Sequence, residues 1–269
     1  MTETPRLRRA FSGTGHPNLD ANVVESSGSR LIDQHLASGR QLDEVTAPLG
    51  GTVVVVPHPD DEALAAGGLI AHQRRRDRDV VVIAVTDGDA AYPDWRGGEL
   101  ARVRRREQLV ALRRLGVRRH AVHRLGIADG AVARHNDAVV TALLEVLSPS
   151  DTLVAPAVFD WHPDHEACGR AARSAADLVG CTLLGSLFWA HHHPDHAPAH
   201  MSLGVLALDD VEVAHRRTAV GTHRSQLEPS TRTRADPILT PDLLGLLDHP
   251  VEYYATDPAA SGSNAGSGT

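Results

Sequence analysis

The run Val53-Val54-Val55-Val56-Pro57-His58-Pro59-Asp60-Asp61-Glu62 constrains the fold more than any other stretch. Four consecutive valines lack the polar alternation of a half-exposed strand and read as a strand buried on both faces. Pro57 and Pro59 end it and hold His58 near extended or turn geometry, with Asp61 at a helix N-cap ahead of Glu62-Ala63-Leu64-Ala65-Ala66. One imidazole and three carboxylates thus collect at a strand's C-terminal edge. Open α/β sheets bind ligands at that edge, and a helix N-terminus there favours negative charge.

The pattern that follows is regular. A helix is expected over about 61–76, a second buried strand over 80–85, and an acidic turn at Thr86-Asp87-Gly88-Asp89. Further helices are expected over about 99–115, 136–147, 166–179 and 209–224, and further strands over 120–125, 151–156, 182–189 and 203–208. This alternation predicts one domain, a Rossmann-like three-layer α/β/α fold with a mostly parallel sheet and its active site at the C-terminal strand edge. Residues 1–50 are read as an extension packing on the main body, with an amphipathic helix over Ser29–Leu42, and 51–256 as the catalytic domain. The region of Pro229, Pro237 and Pro241 is expected to wrap the sheet irregularly. Residues 257–269 read as a flexible tail.

At 269 residues and 42% hydrophobic, the chain can bury a full core. No stretch nears the roughly eighteen apolar residues of a membrane span, and no apolar segment follows Met1–Arg6, so a cytoplasmic protein is expected. The formal charge of −7 argues against a nucleic-acid partner. Arg74–Arg76 and Arg104–Arg106 fall in predicted helices and read as solvated faces. The two cysteines, Cys168 and Cys181, have no metal or redox spacing; all 27 basic residues are arginine. The 17 histidines are many for this length, and several stand beside acids.

The chemistry concentrates in two motifs of one shape, His58-Pro59-Asp60-Asp61 and His162-Pro163-Asp164-His165, each just after a predicted buried strand. If those strands are neighbours, three imidazoles and three carboxylates surround one crevice. A catalytic zinc needs three N or O ligands and one open position, which this supply covers.

These motifs resemble the zinc-dependent N-acetylglucosaminyl deacetylases often called the PIG-L or LmbE-like family. The resemblance also rests on Thr86-Asp87-Gly88, the Arg102–Gly116 helix, Leu125-Gly126-Ile127-Ala128-Asp129-Gly130 and Thr222-His223-Arg224-Ser225-Gln226, in order over about 50–226. It implies zinc held by His58, Asp61 and His165, Asp60 as general base, and His162 on the oxyanion side. Chemistry agrees with that assignment: Asp60 stands beside a ligand, and a protonated His162, oriented by Asp164, would stabilise an oxyanion or protonate the departing amine. The chain departs from the family in its long N-terminal extension and in Trp161, where a glycine is usual.

The expected reaction is zinc-dependent hydrolysis of the N-acetyl group of a small N-acetylglucosaminyl conjugate, in the branch serving glycopeptide antibiotics of the teicoplanin type. Alternatives are a deacetylase or amidase of a glucosaminyl-inositol thiol pathway, a two-metal phosphoesterase, and a non-enzymatic glycan-binding module. A dinucleotide enzyme is disfavoured, since no Gly-x-Gly-x-x-Gly follows the first strand. Trp95, Trp161 and Trp189 are expected to contact substrate or to be buried. Asp87 is expected to bind sugar hydroxyls or nearby backbone. His191, His193 and His196 belong to a cluster expected to form a polar substrate-binding loop or lid, or else a second metal site.

Overall fold

The structure is a computed structural model that describes residues 30–37, 43–45, 50–92, 98–198, 201–230 and 235–256. Among these residues eight strands form one mixed sheet: β1 (Asp43–Glu44), β2 (Thr52–Val56), β3 (Val80–Ala84), β4 (Val122–Arg124), β5 (Thr152–Pro156), β6 (Thr182–Ser186), β7 (Ser202–Ala207) and β8 (Val251–Thr256). Their order is β1-β7-β8-β6-β5-β2-β3-β4. Only β8 runs antiparallel to its neighbours, β6 and β7.

The helices are α1 (Arg30–Ala37), α2 (Asp61–Leu64), α3 (Gly67–Arg74), α4 (Glu99–Arg114), α5 (Asn136–Leu144), α6 (Pro163–Val179), α7 (Trp189–His192), α8 (Asp210–Val220), α9 (Arg224–Leu227) and α10 (Pro241–Leu244). Side chains on β2 alternate between faces. Val54 and Val56 join Leu69, Ile70, Leu112 and Ala219 of α3, α4 and α8 on one face. Val53 and Val55 join Val139, Leu143, Ala171 and Ala175 of α5 and α6 on the other. All five β2 residues are buried, and full burial of a valine contributes about 1.5–3 kcal/mol. The result is the three-layer architecture expected from the sequence.

From β2 the chain moves outward to β3 and β4, then crosses back to β5 on the other side of β2 and continues to β6. The boundary between β2 and β5 is therefore a topological switch point, where the diverging connections leave a crevice. Both histidine motifs emerge there, one after each strand.

Several elements differ from the expected pattern, each for a local reason. The helix over 61–76 breaks into α2 and α3, and the second begins at Gly67-Gly68, where the Glu252 carboxylate accepts the N–H groups of Gly68 and Leu69 at 2.6 and 2.8 Å. A Cβ on Gly68 would stand 2.4 Å from Leu208, so this approach requires glycine. The strand from Thr182 stops at Ser186, because Asp160 captures the N–H groups of Phe188 and Ala190 and turns the chain into α7. The stretch expected to wrap irregularly ends in β8, inserted between β6 and β7. Within the N-terminal extension, α1 buries Leu31 and Ile32 against Leu187, Ala190 and Leu203, and β1 pairs with β7. Among the described residues no helix is long and apolar enough to cross a membrane.

Candidate active site

Three donor atoms meet at the mouth of the crevice. His58 Nδ1 lies 3.3 Å from His165 Nε2 and 3.4 Å from Asp61 Oδ2, and the latter two are 3.3 Å apart. Ligands about 2.0–2.1 Å from one ion at tetrahedral angles stand about 3.3–3.4 Å from each other, so this triangle fits a zinc-sized cation. His162 also falls within 4.8 Å of both other imidazoles and faces the same space.

Each corner is held from behind. Asp61 Oδ2 accepts the His58 backbone N–H at 2.8 Å. His165 Nδ1 lies 2.8 Å from Asp160 Oδ2, while Asp160 Oδ1 takes the two α7 N–H groups. The far nitrogen of His58 faces Asp129 at 3.2 Å and Asp164 at 3.5 Å. Carboxylates behind imidazoles fix ring orientation and raise basicity, a usual support for metal-ligating histidine. Burial opposes charge on His165, but Asp61 and Asp160 raise its pKa to about 9. Likewise burial opposes ionisation of Asp61, and the His165 and His58 imidazoles outweigh it and hold the carboxyl well below its usual range.

Asp60 differs in every respect from its neighbour. Burial, and next the Asp61 charge, push its carboxyl up to about 7, near the value suited to a general base at neutral pH. Its φ of 137° is strained for a residue with a side chain. Behind it, Glu62 Oε2 accepts the Asp60 N–H at 3.2 Å and Gln108 Nε2 at 3.1 Å, and Glu62 Oε1 faces the buried His223 ring at 3.1 Å. Gln226 donates to the Pro59 carbonyl. The Thr222–Gln226 motif thus braces the loop that carries Asp60.

Several sequence expectations require correction. Asp164 does not orient His162: its carboxylate accepts the Gly130 and Val132 N–H groups at 2.7 and 3.3 Å and faces His58. Nor do its surroundings favour a protonated His162: burial, and then the His165 and His58 charges, push it down to about 4. Its Nδ1 accepts the Asp164 backbone N–H at 3.3 Å, which leaves the neutral ring's proton on Nε2 as a donor. Finally, Asp87 is ion-paired with Arg105 at 2.7 Å and Arg124 at 3.5 Å, away from the crevice.

The crevice encloses a cavity of about 270 Å³ bordered by Asp60, His162, Arg104, Phe188, Trp189 and Leu239, among others. Arg104, expected on a solvated face, is 3% exposed, and its Nε and Nη2 have no hydrogen-bond partner among the described residues. Gly88 makes room for it: a Cβ there would lie 2.4 Å from Arg104 Nη1. His193 rests between Trp161 and Trp189, of which Trp189 borders the cavity. By contrast His191 is buried against Tyr253 beneath α7, where burial lowers its pKa to about 3, so it does not reach the cavity. The cluster is built into α7 and the turn Pro194–His196, and both pack on α1. Trp95 and the His196 side chain lie outside the described residues. Asp160, Asp129, Arg104, Glu62 and His223 were not singled out for site roles from the sequence. Glu62, Asp129 and His223, inside motifs already noticed, offered a signal.

Residues 53–176 match the protein family described as PIG-L, GlcNAc-PI de-N-acetylase. A probable N-acetyl-alpha-D-glucosaminyl L-malate deacetylase 2 of Bacillus subtilis (strain 168) is 28% identical over 128 residues, covering 44% of this chain and 57% of that relative. The 2'-N-acetylparomamine deacetylase of Streptomyces fradiae is 32% identical over 152 residues, covering 49% and 54%. The chain thus spans little more than half the length of these two relatives. The crystal structure of the A40926 pseudoaglycone deacetylase superposes on this chain with a TM-score of 0.58 at 21% identity, covering 78% of this chain and 97% of that one. At that identity the likeness concerns the fold.

Proposed function

We propose that this chain is a metal-dependent N-deacetylase that hydrolyses the acetamide of a small N-acetylglucosaminyl conjugate to acetate and a free amino sugar. The observation that carries the reading is the His58–Asp61–His165 donor triangle with Asp60, whose carboxyl burial and the Asp61 charge push up, beside it. Zinc is the proposed ion, held by those three residues. When bound it supplies Lewis-acid polarisation of the amide carbonyl and makes water acidic enough to react near neutral pH.

The protein's own groups do the rest. Asp60 takes a proton from the attacking water as its oxygen bonds to the acetyl carbon. His162 donates its Nε2–H to the carbonyl oxygen as negative charge builds there, and Arg104 supplies further donors at the cavity wall. The C–N bond then breaks, and the proton held by Asp60 passes to the departing nitrogen. Trp189 and the Trp161–His193 pair are proposed to contact the sugar or what is attached to it.

The names of the relatives support an antibiotic precursor as the conjugate, with a malate or thiol-pathway conjugate as the competing choice. The test is incubation of the zinc-loaded protein with N-acetylglucosaminyl conjugates of each kind, following acetate and the new amine by mass spectrometry. Chelation should stop the reaction and zinc restore it. Sugar binding without product, insensitive to chelation, would instead establish a glycan-binding module.

A further inference from the structure

We infer that Trp161, His193 and Trp189 form an aromatic shelf that selects conjugates bearing an aromatic ring on the aglycone side of the amino sugar. The inference rests on the deacetylase reading and extends it to substrate class. Trp161 is 47% exposed, an unusual setting for the largest apolar side chain in a chain only 3% aromatic. It also sits at φ 60°, in the left-handed region that glycine occupies freely and a tryptophan enters only at an energetic cost. Neither feature helps folding.

The ring extends a row of aromatic side chains that begins in the cavity wall. Trp161 lies 5.4 Å from His193 between ring centroids, tilted by 41°, and His193 stacks on Trp189 at 6.4 Å and 30°. Trp189 meets Phe188 edge-on at 5.3 Å, and those last two rings line the cavity itself. Four rings therefore run without interruption from the buried wall to solvent, and the next residue after Trp161 is His162, whose ring faces the reacting centre. In this proposal a sugar sits with its acetamide at Asp60 and its far end along this row. Flat aromatic groups gain from such a surface through offset stacking beyond their buried area.

The full-length, zinc-loaded chain in an Asp60→Asn background tests this by calorimetry, so that binding is read without turnover. The probes are 4-nitrophenyl and methyl N-acetyl-D-glucosaminide. The aryl glycoside is expected to bind more tightly, and Trp161→Gly to lower the aryl-to-methyl affinity ratio about fivefold while the melting temperature holds or rises as backbone strain is relieved. Trp161→Phe should recover part of the ratio. A ratio unchanged in Trp161→Gly overturns the shelf, whatever the stability. Acetate release from both glycosides by the chain with Asp60 intact is measured in parallel. Its absence with a Trp161-dependent ratio defeats the deacetylase reading and leaves the shelf standing; its presence with an unchanged ratio does the reverse.

Discussion

Asp60 and Asp61 are adjacent carboxylates shifted in opposite directions from the ordinary value, and the difference comes from what each faces. Asp61 points between two imidazoles, which stabilise its charge; Asp60 is buried beside that charge and held in a strained backbone by Glu62. Pairs pushed apart in this way divide the roles of ligand and base. Asp60→Asn should therefore lower kcat by about 10²–10⁴-fold while leaving zinc stoichiometry, read by metal analysis, unchanged. Asp160→Asn acts on the other side of the site. It removes the charge that orients His165 and should weaken zinc binding about 10–100-fold in a competition titration, with activity recovered at high zinc. Asp60 lies in a quoted motif and Asp160 two residues before one, and only Asp60 was legible as a candidate base. Its role follows from adjacency to Asp61, whereas that of Asp160 depends on α7 folding back to hold its second oxygen, which no spacing reveals.

At the scale of elements, the valine strands and the two histidine motifs could be read because buried parallel strands and proline-terminated turns are local patterns. β8 could not. Its Val251-Glu252-Tyr253-Tyr254 is buried on both faces, but Glu252 interrupts the apolar run that marks such a strand. That glutamate is buried because it caps α3: it accepts the Gly68 and Leu69 N–H groups and the Tyr254 hydroxyl, with Arg216 at 3.5 Å. The cap also explains why α2 and α3 are separate helices, since the chain restarts on an anion at Gly67. Glu252→Ala removes the carboxylate facing the buried Arg216, which keeps only its carbonyl acceptors on Leu247, His249 and Val251, and empties the cap together. It should destabilise the fold by about 3–5 kcal/mol, measured by urea unfolding, with the midpoint falling and the m-value retained. Arg104 was misread for the converse reason: a run of arginines resembles a solvated face, and only the packing of α4 against the Gly88 turn turns one of them inward.

Across the whole molecule, the crevice at the β2–β5 boundary is backed by the α3–α8 layer, whose last turn leads through Thr222 to His223 beneath Asp60. That layer is joined by Glu212, which closes the Asp209 capping box at the start of α8 and meets three groups of the α3 end: His72 at 3.1 Å, Arg76 at 2.8 Å and Arg75 at 3.3 Å. Burial works to raise the Glu212 carboxyl, but the His72 hydrogen bond, the Asp209 N–H and Arg76 outweigh it and hold the pKa below its ordinary value. A carboxyl depressed on folding binds its proton more readily in the unfolded chain, so its stabilisation is full above the unfolded value of about 4.3 and is lost as pH falls through the folded value. Melting temperature should therefore drop between about pH 5 and pH 3 in the wild type. Glu212→Gln should melt lower at pH 7, and the gap between the two proteins should close as the medium is acidified through that interval. A gap that stays constant with pH would mean that Glu212 joins α3 to α8 by packing and neutral hydrogen bonds rather than by its charge.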